Sequence, residues 1–155
     1  MGDIEENKKA TEKAMNLLLQ QDRTRKELLD RLYRAGFSEE ASRAALEYVE
    51  GFGYIDDLRY ATNYLSFHKE ERSKKELRYK LMNKGISQET ISEAFLEYES
   101  GDEEKALESQ LRKRLRGRKL SEMDFMEKNK VAGYLARKGY NLSAIKRVMQ
   151  EWEKR

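Results

Sequence analysis

The sequence predicts an all-α protein, an elongated array of three tandem three-helix repeats. It has no proline and is rich in Lys, Glu, Leu, Ala and Arg, which favour helices. The segment 22–38 returns 49 positions later as 71–87, with seven of 17 residue pairs identical and five closely similar. Repetition at this period is typical of modular helical arrays, so function is expected in a surface rather than in a catalytic pocket.

Composition limits the size of any single core. Of the 155 residues, 38% are hydrophobic and 39% are charged, which favours small modules over one large domain. The absence of cysteine excludes disulfides and thiolate metal sites and is compatible with a reducing cytoplasm. The sequence has neither an apolar run long enough to span a membrane nor a secretory signal pattern. These features predict no membrane contact, and we expect the chain to be a monomer.

Each repeat is predicted to contain three helices. The first helices correspond to the amphipathic stretches 14–21, 60–70 and 106–115. The second helices begin at Thr24 and Ser73, each three residues before a glutamate, which is the spacing of a capping box. They end at Gly36 and Gly85, where glycine accepts a left-handed conformation at low cost. The third helices start at Ser38 and Ser87.

A third copy of the repeat is found when the template is aligned on Gly139. Five residues are inserted before it, and Glu127 stands where the capping hydroxyl is expected, so the cap is predicted to be missing. The predicted domains are 1–56, 57–102 and 103–155. In the third helix of each repeat, four positions are expected to face the core. They are Ser42, Ala45, Leu46, Val49; Ile91, Ala94, Phe95, Tyr98; and Ile145, Val148, Met149, Trp152.

Charge is distributed unevenly along the chain. Residues 1–57 hold 9 basic and 13 acidic side chains, residues 58–104 hold 8 and 10, and residues 105–155 hold 15 and 6. The balances are therefore −4, −2 and +9. A basic last third indicates binding to an anionic partner, either nucleic acid or an acidic protein groove.

The strongest candidate for partner binding is the basic segment of the third repeat. On a helix, Leu111 and Leu115 would face inward and the cations would crowd into solvent, where their mutual repulsion favours an anionic partner. The alternative is a solvated helix face with a basic loop. The candidate residues are Arg112, Lys113, Arg114, Arg116, Arg118 and Lys119.

Two basic blocks recur at equal register in the first two repeats. They could form a stripe along one edge of the array, or they could be ordinary exposed positions neutralised by neighbouring acids. The blocks are Arg23, Arg25, Lys26, Arg31 and Arg72, Lys74, Lys75, Lys80. Tyr79 lies outside the inward register and is the best candidate for an exposed aromatic side chain that could stack on a base.

No catalytic, metal or cofactor site is predicted. Asp56 and Asp57 are adjacent and have no third ligand at metal-binding spacing. Asp57 is instead expected to cap the next helix, with Tyr54 and Ile55 packing beneath it. His68 is the only histidine and has no cysteine or second histidine to complete a nucleophilic or acid–base site.

Two stretches of the chain resemble the central signature of the RecX regulatory proteins. They are Gly53-Tyr54-Ile55-Asp56-Asp57-Leu58-Arg59-Tyr60-Ala61 and the segment that runs from Lys74-Lys75-Glu76-Leu77 to Leu81-x-x-Lys84-Gly85-Ile86. The resemblance covers nearly the whole chain. Together with the repeat register, it predicts structural roles for Gly36, Tyr54, Asp57, Gly85 and Gly139. It further implies a bacterial cytoplasmic protein that binds the RecA recombinase filament and modulates, usually inhibits, its ATPase, coprotease and strand-exchange activities.

Two functions remain open at this stage. The first is a non-enzymatic modulator of the RecA–DNA filament. Such a modulator would bind single- or double-stranded DNA only weakly in the absence of RecA. The second is a direct nucleic-acid-binding protein built from helix-turn-helix-like units. Residues 38–50, which would be the reading helix of the first unit, carry one arginine and four glutamates, which disfavours the second function.

Overall fold

The computed structural model describes residues 3–98 and 100–155, and over these residues it contains helices and no strands, which confirms the all-α prediction. None of the described helices has the length and apolar character needed to cross a membrane. The helices are α1 (Ile4–Gln20), α2 (Arg25–Arg34), α3 (Glu39–Gly51), α4 (Asp57–His68), α5 (Lys74–Asn83), α6 (Gln88–Ala94), α7 (Ser100–Leu115), α8 (Phe125–Arg137) and α9 (Leu142–Glu153).

The predicted helix ends of the first two repeats are confirmed. Thr24 and Glu27 form a complete capping box at the start of α2, and the Ser73 Oγ accepts a hydrogen bond from the Glu76 amide at 3.1 Å. Ser38 and Ser87 cap α3 and α6. Gly36 and Gly85 follow α2 and α5 with φ of +92° and +83°, in the left-handed region that favours glycine.

The third repeat retains a cap, so the predicted loss was wrong. The Asp124 carboxylate accepts a hydrogen bond from the Glu127 amide at 2.8 Å, and α8 begins at Phe125. The cap therefore lies three residues before the position expected from the register. As a result, α8 has 13 residues where α2 and α5 have 10.

The prediction for Asp57 was also wrong. The cap of α4 is Asp56, whose carboxylate accepts from the Arg59 amide at 3.1 Å. The Asp57 carboxylate instead accepts from the Arg25 amide at 2.9 Å, so it satisfies the first free amide of α2. Ile55 is buried as expected, but Tyr54 is 45% exposed and stacks on Phe52, with ring centres 5.8 Å apart.

The first helix of each repeat extends further toward the N-terminus than its periodicity indicated. Helix α1 begins at Ile4 rather than near residue 14, because Asp3 caps it and polar residues fill its first turns. Helix α7 begins at Ser100, so the predicted boundary between residues 102 and 103 falls inside a helix.

The chain divides into two compact units, and the division passes through the second repeat. The first unit extends to Asn63 and includes Leu81–Leu96, and the second comprises Tyr64–Lys80 and Glu97–Arg155. Each unit has its own apolar cluster. The first is formed mainly by α1, α2 and α3, and the second by α7, α8 and α9. The predicted core positions are buried, except that Tyr98 and Trp152 are half-buried.

Candidate functional site

Two candidate cations of the first repeat, Arg25 and Lys26, pair with neighbouring acids. Arg25 Nε lies 3.3 Å from a Glu50 carboxylate oxygen, and Lys26 Nζ lies 3.1 Å from Asp30. Arg23 is only 4% exposed, and its guanidinium donates to a backbone carbonyl of α1 at 3.2 Å. Arg25 and Lys26 are thus partly compensated within the first repeat, and their role in partner binding stays a prediction.

The candidate cations of the second repeat have different surroundings. Arg72 donates to the Tyr64 hydroxyl at 3.3 Å, and Lys74 Nζ lies 5.9 Å from the centre of the Tyr98 ring. Lys75 is exposed and lines a cleft of about 410 Å³ between α5 and the end of α8. The other residues that line this cleft are Glu76, Tyr79, Lys80, Ala136, Arg137, Lys138 and Gly139.

The basic segment of the third repeat lines two adjoining clefts. Helix α7 ends at Leu115, and Arg116 and Gly117 turn the chain with φ of +52° and +84°. Arg114, Arg116 and Arg118 line a cleft of about 540 Å³ beside the first half of α8. Arg112 and Lys119 line a second cleft of about 250 Å³ next to Trp152, and Arg118 lines both clefts. Lys113 is exposed, and Leu111 and Leu115 are buried as predicted.

Three clefts adjoin along α8 in the second unit. The middle one, of about 540 Å³, is lined by Arg114, Met126, Asn129, Lys130, Gly133 and Arg137. It shares Arg137 with the cleft at α5, and it shares Arg114 and Lys130 with the cleft at the end of α7. We name the combined surface the α8 groove. Its cations are Lys75, Lys80, Arg114, Arg116, Arg118, Lys130, Arg137 and Lys138, and its acids are Glu76 and Glu127.

Helix α8 holds several of these cations in place. Its buried face carries Val131 and Leu135, and the half-buried Tyr134 ring lies 4.7 Å from the Arg114 guanidinium carbon and 5.6 Å from Lys138 Nζ. These are cation–π distances. Gly133 leaves room for Arg137, because a Cβ at this glycine would lie 3.3 Å from one guanidinium nitrogen. The cations thus lie close to the helix surface rather than fully extended.

Sequence reasoning missed Lys130, Arg137 and Lys138 as candidate residues. It assigned α8 from its buried positions and did not examine the opposite face of the helix. Residues at 126, 130, 133 and 137 recur at intervals of three and four, so they share one helix face. A helical projection that started from the true cap, Asp124, would have placed two cations on that face.

The basic character of the groove is specific to the second unit. By the repeat register, Asp30 of the first repeat corresponds to Tyr79, and Asn83 of the second corresponds to Arg137. In the first unit, Lys26 pairs with Asp30, and Lys84 Nζ lies 3.9 Å from Glu27. The contact region between the second and third repeats is therefore more positive than the one between the first and second. It has Tyr79 where the first has Asp30, and Arg137 where the first has Asn83.

One group of three carboxylates in the described part of the chain is compact enough to hold a metal ion. In the described part of the chain, Glu104, Glu108 and Glu151 can bring one oxygen each within 4.8 Å of the others. Arg147 lies 3.7 Å from Glu104 and compensates part of this charge. Exposed acidic groups of this kind are common without an ion, and we assign no metal or cofactor to them.

Comparison with known proteins identifies the relatives of this chain. The family model of the first three-helix domain of RecX matches residues 10–48, and that of the third matches residues 102–149. The regulatory protein RecX of Chlorobium phaeobacteroides (strain BS1) is 31% identical over 150 residues, which cover 94% of this chain and 95% of the relative. The regulatory protein RecX of Mycobacterium avium (strain 104) is 30% identical over 129 residues, covering 82% and 75%.

A solved structure has the same fold. The crystal structure of RecX from Lactobacillus salivarius superimposes with a TM-score of 0.81 at 22% identity, covering 97% of this chain and 99% of that one. At this identity the likeness speaks for the fold alone. The domain models and the relatives matched over most of their length show more: the chain belongs to the RecX family of regulatory proteins.

Proposed function

We propose that this chain binds the RecA recombinase filament and inhibits its ATPase, coprotease and strand-exchange activities in DNA repair and recombination. The observation that carries the proposal is membership of a family whose relatives are named regulatory proteins. It acts in the cytoplasm, as a monomer and by binding rather than by catalysis.

The charges of the two units support a partner that contains both protein and nucleic acid. The first unit has 11 basic and 15 acidic side chains, a balance of −4, and the second has 21 and 14, a balance of +7. A RecA filament presents protein surface and DNA phosphates together. Phosphates repel the acidic unit, so we assign it to the protein component, and the basic unit that carries the α8 groove suits the phosphates.

The direct test is DNA-dependent ATP hydrolysis by RecA, measured while this protein is added at increasing concentration. We expect the rate to fall, with a midpoint that scales with the amount of RecA when DNA is in excess. No change at saturating protein would refute the proposal. A midpoint that scales with DNA nucleotides instead would favour the alternative, a protein that removes DNA from RecA by binding it directly.

The alternative of helix-turn-helix readers has little support in the first unit. Helix α3, the reading helix of its first repeat, carries one arginine, Arg43, whose Nε lies 3.1 Å from Glu39. An acidic helix is repelled by the phosphates on both sides of a major groove. Among the described residues, the basic clefts of the second unit favour direct contact with nucleic acid.

A further inference from the structure

We propose that an exposed aromatic cluster at the end of α3 docks the first unit on its protein partner, and that the partner contributes an arginine side chain to this contact. The cluster consists of Tyr48, Phe52 and Tyr54, which are 51%, 61% and 45% exposed. The inference rests on the proposed function, because it takes the partner to be the RecA filament. It adds the surface of this chain that makes the contact and the chemistry that this surface recognises.

The three rings form one continuous surface that the backbone holds in place. The ring centres of Tyr48 and Phe52 lie 5.0 Å apart with the ring planes at 52°, and those of Phe52 and Tyr54 lie 5.8 Å apart at 18°. The buried side chains of Val49 and Ile55 anchor the chain on both sides of the turn. Rings that are fixed before binding lose little conformational freedom when a partner docks on them.

The turn after α3 keeps Phe52 and Tyr54 at the surface. Gly53 lies between them with a φ of +74°, in the left-handed region that favours glycine. The Arg59 guanidinium donates to the backbone carbonyl of Gly53 at 2.9 Å and to that of Tyr54 at 3.4 Å. These hydrogen bonds hold the turn and direct this guanidinium to the backbone.

The electrostatic surroundings of the cluster favour a cation. Residues 47–59 hold four acids and one base, and Arg25 of α2 pairs with Glu50, so the local balance is −2. The C-terminal end of α3 adds about half a negative charge and has no basic residue in its last turn. Burial raises the pKa of Asp57, and Glu50 and Asp56 raise this pKa further. Phosphates of a nucleic acid or an anionic membrane are repelled here, so a basic protein segment is the occupant that fits.

The spacing of the rings favours arginine over lysine. An exposed aromatic face attracts a cation. A cation between two parallel rings needs ring centres about 7 Å apart, so the 5.8 Å between Phe52 and Tyr54 leaves only the outer faces of the cluster. On such a face a planar guanidinium stacks closely, whereas an ammonium retains more of its hydration.

Other aromatic rings of the chain already face one of its own cations. Lys84 Nζ lies 5.5 Å from the centre of the Tyr60 ring, and the Arg155 guanidinium carbon lies 4.6 Å from the centre of the Trp152 ring. Over the residues that the structure describes, no cation–π contact of this kind is found at the aromatic cluster. Its ring faces are therefore available to a cation of the partner.

The test measures binding of the full chain, labelled at its N-terminus, to RecA assembled on oligothymidine with an ATP analogue that is not hydrolysed. The variant Y48S/F52S removes two rings of the cluster. The variant Y48L/F52L keeps apolar side chains but has no aromatic face there, and it tests the surface even if the serine variant misfolds. The control L19S/Y33S replaces an exposed leucine and an exposed tyrosine elsewhere in the first unit.

We expect both cluster variants to bind the filament at least about tenfold more weakly than the wild type, and the control to lose less than about twofold. Brief treatment of the complex with phenylglyoxal, which modifies arginine, identifies the partner side chain by mass spectrometry. At least one RecA arginine should be protected by the wild-type chain and remain reactive with Y48L/F52L.

The outcomes separate this inference from the proposed function. A wild-type chain that does not bind the filament would refute both, whereas cluster variants that bind as tightly as the wild type would overturn the inference alone. If Y48L/F52L binds like the wild type and Y48S/F52S does not, apolar area is sufficient and the arginine contact is wrong. A wild-type dimer in analytical ultracentrifugation that Y48S/F52S abolishes would assign the cluster to a second copy of the chain and overturn the inference as well.

Discussion

The Thr24 hydroxyl donates a hydrogen bond of 2.7 Å to the backbone carbonyl of Lys84, sixty residues later in the sequence. The same oxygen accepts from the Glu27 amide at 3.2 Å, so one hydroxyl caps α2 and also satisfies the end of α5. The arrangement recurs in the second unit, where Ser73 Oγ donates to the Lys138 carbonyl at 2.6 Å. At the junction between the first two repeats, the capping residue of α2 therefore contacts the turn after α5. At the next junction, the capping residue of α5 contacts the turn after α8.

Replacing this hydroxyl should cost more than the loss of a helix cap alone. Thr24→Ala leaves both the Glu27 amide and the Lys84 carbonyl without their partner, and we expect the free energy of unfolding to fall by about 2 kcal/mol. Ser87→Ala removes an exposed cap that makes no junction contact and should cost about 1 kcal/mol. Urea unfolding followed by circular dichroism measures both, and equal losses would contradict a junction role.

The glycines after α2, α5 and α8 should differ in their tolerance of alanine. All three have φ above +80°, so each substitution costs about 1 kcal/mol in backbone strain. A Cβ at Gly85 would lie 2.4 Å from Lys26 Cβ, and one at Gly139 would lie 2.6 Å from Ser73 Oγ, whereas Gly36 has open space. We expect Gly85→Ala and Gly139→Ala to lower the melting temperature clearly more than Gly36→Ala. The same loss at all three would show that backbone strain alone decides.

Asp57 should make the first unit less stable as pH rises. Burial raises the pKa of its carboxyl above the usual 3.8, with Glu50 and Asp56 adding to the shift and the hydrogen bond from the Arg25 amide opposing it. Between 3.8 and the raised value, the folded chain binds more protons than the unfolded chain, so the free energy of unfolding falls as pH rises through that interval.

Asp57→Asn should remove this dependence and keep an oxygen for the Arg25 amide, so its stability at neutral pH should match or exceed that of the wild type. Asp57→Ala loses the acceptor and should be about 1 kcal/mol less stable. Unfolding by urea at a series of pH values compares the three proteins. A wild type and Asn variant with parallel pH profiles would refute the assignment.

Two tyrosines of the second unit should reduce stability in alkaline solution. Burial, with Glu103 and Asp102 nearby, raises the pKa of Tyr98 to about 12, and burial also raises the pKa of Tyr140. From pH 10 to about 12 the folded chain keeps a proton that the unfolded chain loses, so the free energy of unfolding falls. Tyr98→Phe should lessen this fall, and Tyr79→Phe, at an exposed position, is the control. Unchanged pH profiles in Tyr98→Phe would contradict the prediction.

Local signals in the sequence were sufficient for most helix ends. The Thr24 and Ser73 caps, the Ser38 and Ser87 caps and the glycines after α2 and α5 depend on backbone groups within a few residues. Asp124 was not predicted as the cap of α8, because alignment with the first two repeats placed that cap at Glu127, three residues later. Asp57 was misassigned because two adjacent aspartates can each cap a helix, and only the position of the Arg25 amide distinguishes them.

The candidate site was predicted only in part. Charge counting located the basic segment of the third repeat, and register identified Tyr79 as exposed, at 63%. The sequence could not show that Arg112 and Arg114 line different clefts, because this depends on where α7 ends and how Arg116 turns the chain. Nor could it show that Lys75 and Arg137 line one cleft, since they are 62 residues apart in sequence.

By itself, therefore, the sequence determined the helices, the repeat and the polarity of charge, because caps, periodicity and composition act over a few residues or over the whole chain. The tertiary structure decided which cations converge. Junctions such as Ser73 with Lys138 bring the turn after α8 against the start of α5, and this contact turns a repeated basic block into one wall of a groove. The repeat shows which residues are equivalent in sequence, but only the packing of the helices shows which side chains come into contact.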